Sequence, residues 1–164
     1  MSKRVRQYVG LISALIAYYV VHEGAHYLYA LSKGVFKTLN FMGLGVQIDI
    51  FREKLTDTEL GVFCLVGAIA TFVAAWLLVL LSKKILAIKS PVLKAIAWYT
   101  SIIMLVLDPI YLSIVYRFVG GGDMNGIKLL IPEVAAAIIF GMIAVVHLFV
   151  LIKVLLPRYK EAFK

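Results

Sequence analysis

The chain of 164 residues is 63% hydrophobic and 16% charged, with a mean hydropathy of +0.97, whereas a soluble domain is apolar over roughly half its residues. This composition excludes an ordinary soluble protein and predicts an integral membrane protein. The net charge of +8 does not point to nucleic acid, because the lysines and arginines gather at the ends of apolar runs, where headgroup phosphates lie.

The first apolar run, about Tyr8 to Leu31, follows the basic residues Lys3, Arg4 and Arg6. It is too long for a signal peptide, and the polar cluster at its far end fits no cleavage site. The segment behind it, Val35 to Phe51, reads "VFKTLNFMGLGVQIDIF". Gly43, Leu44 and Gly45 signal a turn, and Val46, Ile48 and Ile50 alternate with Gln47 and Asp49. A short amphipathic β-hairpin at the membrane surface is expected there. Three more runs, about Leu60 to Leu81, Leu93 to Val119 and Pro132 to Leu156, each approach the roughly 20 residues that ~30 Å of hydrocarbon requires. Ser90 and Pro91 open the third as cap and first residue, and Pro132 opens the fourth in the same way. On the second, Gly67, Thr71 and Ala75 recur every four positions and predict a seam for close helix packing. Cys64 is the single cysteine, so no intramolecular disulfide forms and a packing role is expected. The fold expected is an all-α polytopic membrane protein of about four transmembrane helices, with the hairpin after the first. With no internal repeat or linker, residues 1–164 read as one domain.

The first run ends in "VVHEGAHYLYA". His22, Glu23 and His26 spell H-E-x-x-H, which on a helix places both imidazoles one turn apart on one face, able to share a zinc ion. Glu23 is then suited to take a proton from metal-activated water. Ionisable groups at membrane depth are costly by roughly 2.5 to 3.5 kcal/mol on insertion scales, and usually functional, which weighs against three incidental polar residues. Catalytic zinc normally has three protein ligands and one open position, so a third ligand must come from elsewhere.

The "HEGAH" motif in the first helix, the hairpin-like loop and an aspartate in the third helix resemble the site-2 protease family of intramembrane zinc metalloproteases. The resemblance implies that the third ligand is an aspartate in an L-D-G motif, and that the hairpin binds substrate in extended form, through Val46, Gln47 and Ile48. Here the matching stretch is "VLDPIYLS", with Leu107 and Asp108 followed by Pro109 where glycine is expected. The second run has "VGA" at Val66 to Ala68 where many relatives carry a glycine-proline turn. Depth independently supports Asp108. His22 lies fifteen residues beyond Gln7, and Asp108 fourteen beyond Lys94, so parallel helices would bring them to similar levels. Capping of the break at Pro109 is the alternative task for Asp108. Asp123 in "GGGDMNGI" is the alternative third ligand, on a loop flexible enough to fold back, though Gly and Asp are also common turn formers. His147, alone on the fourth run, reads as a packing residue rather than a ligand.

The function expected is hydrolysis of peptide bonds in membrane-embedded protein or peptide substrates by zinc-activated water, one Zn²⁺ per chain, with Glu23 as catalytic base and His22, His26 and Asp108 as ligands. The alternative is a non-proteolytic metal-binding membrane protein, either a small metal or proton transporter or a scaffold. The lipid bilayer is the expected environment, as a multi-pass protein of the cell membrane. Two arguments on orientation disagree. Eleven of the 17 basic residues fall on the side of the termini, which places both termini in the cytoplasm. The family resemblance implies the opposite, and the charge count is preferred because it rests on this chain. Cysteines placed at Ser2 and Thr38 test it: labelling from outside intact cells is expected at position 38, and labelling at position 2 alone would reverse the orientation.

Overall fold

The computed structural model describes residues 2–42 and 45–163. Gly43 and Leu44, two of the three residues of the predicted turn, lie outside the described residues. Helix α1 spans Lys3–Ser32, strands β1 (Phe36–Met42) and β2 (Gly45–Ile50) form an antiparallel pair, and α2 spans Asp57–Ala87. Helix α3 (Pro91–Val119) includes a π-helical turn over Tyr111–Val115. A short helix α4 (Met124–Ile127) follows, and α5 (Glu133–Ala162) carries a second π-helical turn over Leu151–Leu155. The fold is therefore all-α with four helices long and apolar enough to cross a membrane, and a two-stranded hairpin after the first.

Local chemistry explains where these helices begin. Ser2 Oγ accepts the Val5 N–H of α1 at 3.3 Å. At the start of α2, Thr56 and Glu59 form a reciprocal capping box. Ser90 caps α3, with Pro91 in the first turn, where its missing N–H costs nothing. The fourth long helix differs slightly from expectation: it begins at Glu133 and Pro132 is its cap. The helices also overrun the predicted apolar limits by about a turn at several ends. At ~1.5 Å per residue, the 30 residues of α1 are longer than a ~30 Å hydrocarbon layer, with the basic Lys3, Arg4 and Arg6 gathered at one end.

The packing inverts the usual order of a soluble protein. Large apolar side chains point outward, with Leu80 74% and Val145 68% exposed, while Ala68, Ala75, Thr71, Ser82 and Ser101 are fully buried between helices. Lipid tails offer apolar residues no reason to hide, so the helix seams are built from small and hydroxyl-bearing residues that allow close approach. Helix α1 runs parallel to α3: Gly10 lies against Ala95 and Tyr99, and Tyr18 and His22 against Asp108. Helix α2 runs antiparallel to both, with Phe63 at His26 and Thr71 at Asp108.

One break in this hydrogen-bonded framework is repaired across helices. Pro109 has no N–H to give the carbonyl of Leu105, four residues earlier. Instead, His147 of α5 donates its Nδ1–H to that carbonyl at 2.8 Å. Its Nε2 accepts the Trp76 indole N–H at 3.2 Å, so one neutral imidazole satisfies two buried groups. This matches the packing role expected for His147. Replacing His147 by Leu is expected to lower stability by about 1 to 2 kcal/mol. In a Pro109→Ala background the restored N–H can bond Leu105, so the same change should cost clearly less. Equal costs in the two backgrounds, measured by denaturant titration in detergent, would contradict this account.

Candidate functional site

Every fourth residue of α1 from Gly10 to Ala30 is buried, which places Tyr18, His22 and His26 in one inward stripe with Ala14. Their spacing brings the Nε2 atoms of the two histidines to 3.2 Å from one another. Gly67 of α2 makes room for them, since a Cβ there would lie 2.5 Å from His26 Nε2 and 2.8 Å from His22 Nε2. The proton positions follow from the partners on the far side of each ring. His26 Nδ1 lies 2.7 Å from the Phe63 carbonyl, which can only accept, so Nδ1 carries the hydrogen. His22 Nδ1 faces a carboxylate oxygen of Asp108 at 3.3 Å and donates to it. In both neutral rings the lone pair is thereby assigned to Nε2.

A third electron-rich atom joins them from the loop after α3. Gly120, Gly121 and Gly122 take φ values of 96°, 87° and 42°, a left-handed run that side-chain-bearing residues rarely adopt. The turn swings Asp123 back under α1. Gly126 then lets α4 pack directly on Cys64 of α2 and holds the loop in place. Asp123 Oδ2 lies 3.2 Å from His22 Nε2 and 3.6 Å from His26 Nε2.

These separations test whether a metal fits. Ligand atoms about 2.0 to 2.1 Å from a tetrahedral zinc stand about 3.3 to 3.4 Å from each other. The spacings of 3.2, 3.2 and 3.6 Å bracket that value. All three atoms lie within 4.8 Å of one another, and each belongs to a residue type that ligates zinc. The residues present fit the ion.

Asp108 stands elsewhere than the expected ligand position. One of its oxygens accepts the Tyr18 hydroxyl and the other accepts from Thr71 and from His22 Nδ1–H. It is only 2% exposed, and its side chain does not cap the break at Pro109. The geometry therefore favours the alternative, Asp123, as third ligand over Asp108, which orients His22 from behind. Asp108 does lie level with His22, but rise along a helix does not say which ring nitrogen a neighbour approaches. Helix α3 meets α1 on the side of Tyr18, and so reaches Nδ1.

Glu23 points away from this stripe, about a quarter-turn round α1, and faces the hairpin. Its Oε2 accepts the Ile48 N–H at 3.2 Å. Strand β2 pairs with β1 along its other edge, so the Ile48 N–H belongs to the outer one. A cavity of about 620 Å³ opens onto His22, Glu23, Asp108 and Asp123, with Val46, Gln47 and Tyr111 in its wall. Sequence reasoning singled out Val46, Gln47 and Ile48, but missed Tyr18, Thr71 and Tyr111. Tyr18 was signalled by its place four residues before His22. Thr71 belongs to the small-residue seam, which serves the site as well as packing; Tyr111, on the turn after Pro109, had no such signal. No family model, curated protein or solved structure matches this chain.

Proposed function

We propose that this protein is an intramembrane zinc metallopeptidase of the site-2 protease kind, a multi-pass protein of the cell membrane that hydrolyses peptide bonds of membrane-embedded substrates. The observation that carries this reading is the convergence of two imidazole nitrogens and a carboxylate oxygen at spacings that suit a tetrahedral ion. A carboxylate from the residue next to the first histidine reaches the same cavity. Zinc, when bound, polarises a carbonyl and lowers the pKa of water toward about 7.

The residues of the chain then divide the work. His22, His26 and Asp123 hold the ion, and Asp108 fixes the ring of His22 through Nδ1, in the manner of the carboxylates that orient ligating histidines. Glu23 takes a proton from the attacking water and returns it to the leaving amine. The buried setting of the site, among helices whose outer faces are apolar, limits the access of bulk water. A substrate helix hides its carbonyls in its own hydrogen bonds and must unwind before attack, and the outer edge of β2 offers backbone partners to the unwound segment.

Two sets of variants test the reading. Purified protein is expected to hold about one zinc per chain, lost on replacing His22 or His26 by Ala. Asp123→Ala should abolish tight binding, whereas Asp108→Asn, which keeps an acceptor for His22, should weaken it by about 10- to 100-fold. The reverse order of effects, read by competition with a chelating dye, would return Asp108 to the ligand set.

For activity, Glu23→Gln should keep its zinc and lose at least about a hundredfold in cleavage of membrane peptides. Ile48→Pro removes the N–H that Glu23 accepts and that an added strand needs, so it should suppress cleavage with zinc retained, while Ile48→Ala keeps most activity. Full cleavage by Glu23→Gln would leave a metal-binding protein without the proposed chemistry.

A further inference from the structure

A second cavity, of about 340 Å³, lies between the outer face of α1 and the hairpin. Tyr19, Glu23 and Val46 line both it and the larger cavity, so the two adjoin. Its remaining wall is almost wholly apolar. Val20 and Tyr27 come from α1, and Leu39, Phe41 and Ile48 from one face of the hairpin, where Leu39 pairs with Ile48 and Phe41 with Val46.

Gly24 also lines it. A Cβ placed there would meet nothing within 4 Å, in contrast to Gly67, where it would collide with both histidines. Gly24 also has no positive φ. Neither packing nor backbone conformation therefore requires glycine here, although glycine weakens a helix interior relative to alanine. What the glycine supplies is open space, one residue from Glu23.

We propose that this cavity is the subsite that receives the substrate side chain beside the scissile bond, and that it selects a large aliphatic or aromatic residue. The proposal rests on the peptidase reading above. An extended segment paired along the outer edge at Ile48 turns alternate side chains to one face, and that face meets the cavity beside Glu23. The volume is at the small end of ligand pockets and large enough for the bulkiest side chains. Alanine or glycine would leave the cavity unfilled, whereas leucine or phenylalanine would displace its contents and bury against Val20, Leu39 and Phe41.

The test uses the full chain in liposomes with transmembrane peptides carrying Leu, Phe, Ala or Gly at each residue flanking the bond, products being mapped by mass spectrometry. Wild type is expected to favour Leu or Phe over Ala at one flanking position by about tenfold or more. Gly24→Leu should cleave the Ala peptide in preference, with zinc at the wild-type level, and Gly24→Ala should fall between. Phe41→Ala, on the open wall, should widen acceptance toward Trp. If wild type cleaves and neither Gly24→Leu nor Phe41→Ala changes its preference, the cavity holds something else, such as a lipid acyl chain, and the subsite is refuted while the peptidase reading stands. Loss of zinc in Gly24→Leu would show that the space is not free, which also overturns it. No cleavage by wild type of any peptide removes the peptidase reading, and the subsite with it.

Discussion

Two imidazole lone pairs and a carboxylate oxygen, all within 3.6 Å of each other inside a bundle of apolar helices, repel one another unless a proton or a metal cation lies between them. Water screens such repulsion at a surface, but the interior of this molecule does not. The arrangement is kept by what stands behind each ring. Phe63 and Asp108 take the Nδ1 protons, and so direct the lone pairs inward. Tyr18 and Thr71 in turn hold Asp108. The seam of small residues on α2 and the left-handed glycines before Asp123 then appear as means to one end, the approach of three helices and a loop to a single point.

The helical framework was legible in the sequence because a bilayer imposes its own length and composition on anything that crosses it. Capping signals at Ser90, Pro91 and Pro132 marked boundaries to within a residue or two. The hairpin was legible from its alternation at Val46, Ile48 and Ile50. Half of the site was equally plain, since His22 and His26 are neighbours on one helix and their relation is local. The other half depends on contacts between elements far apart in sequence. Asp108 and Asp123 were both identified, but choosing between them requires knowing which nitrogen of His22 each approaches, and no periodicity carries that. The glycine run before Asp123 was the available clue, read as flexibility when in the structure it is a defined left-handed turn.

Pro109 offers a related lesson. From the sequence it marked an interruption near Asp108, with Asp108 itself a candidate to repair it. The repair comes instead from His147, 42 residues past the carbonyl it serves. The histidine that read as a packing residue of a membrane helix is thus an interhelical substitute for a backbone N–H. Its value lies in both nitrogens being used, one toward Leu105 and one toward Trp76, which leaves it no capacity to bind a metal as well.

The order in which the site is completed follows from where its parts lie along the chain. Asp123 is separated from His22 by 101 residues. During synthesis the two histidines emerge early, on the first helix, and remain a two-point contact until the third helix has been inserted and the glycine turn has closed. Closing so long a loop costs only slowly more with length, and the close packing of α4 on α2 at Gly126 and Cys64 holds it once closed. On the proposed reading, firm capture of an ion at this centre is a late event in biogenesis, and a chain halted before Gly120 would hold the histidine pair without its third partner.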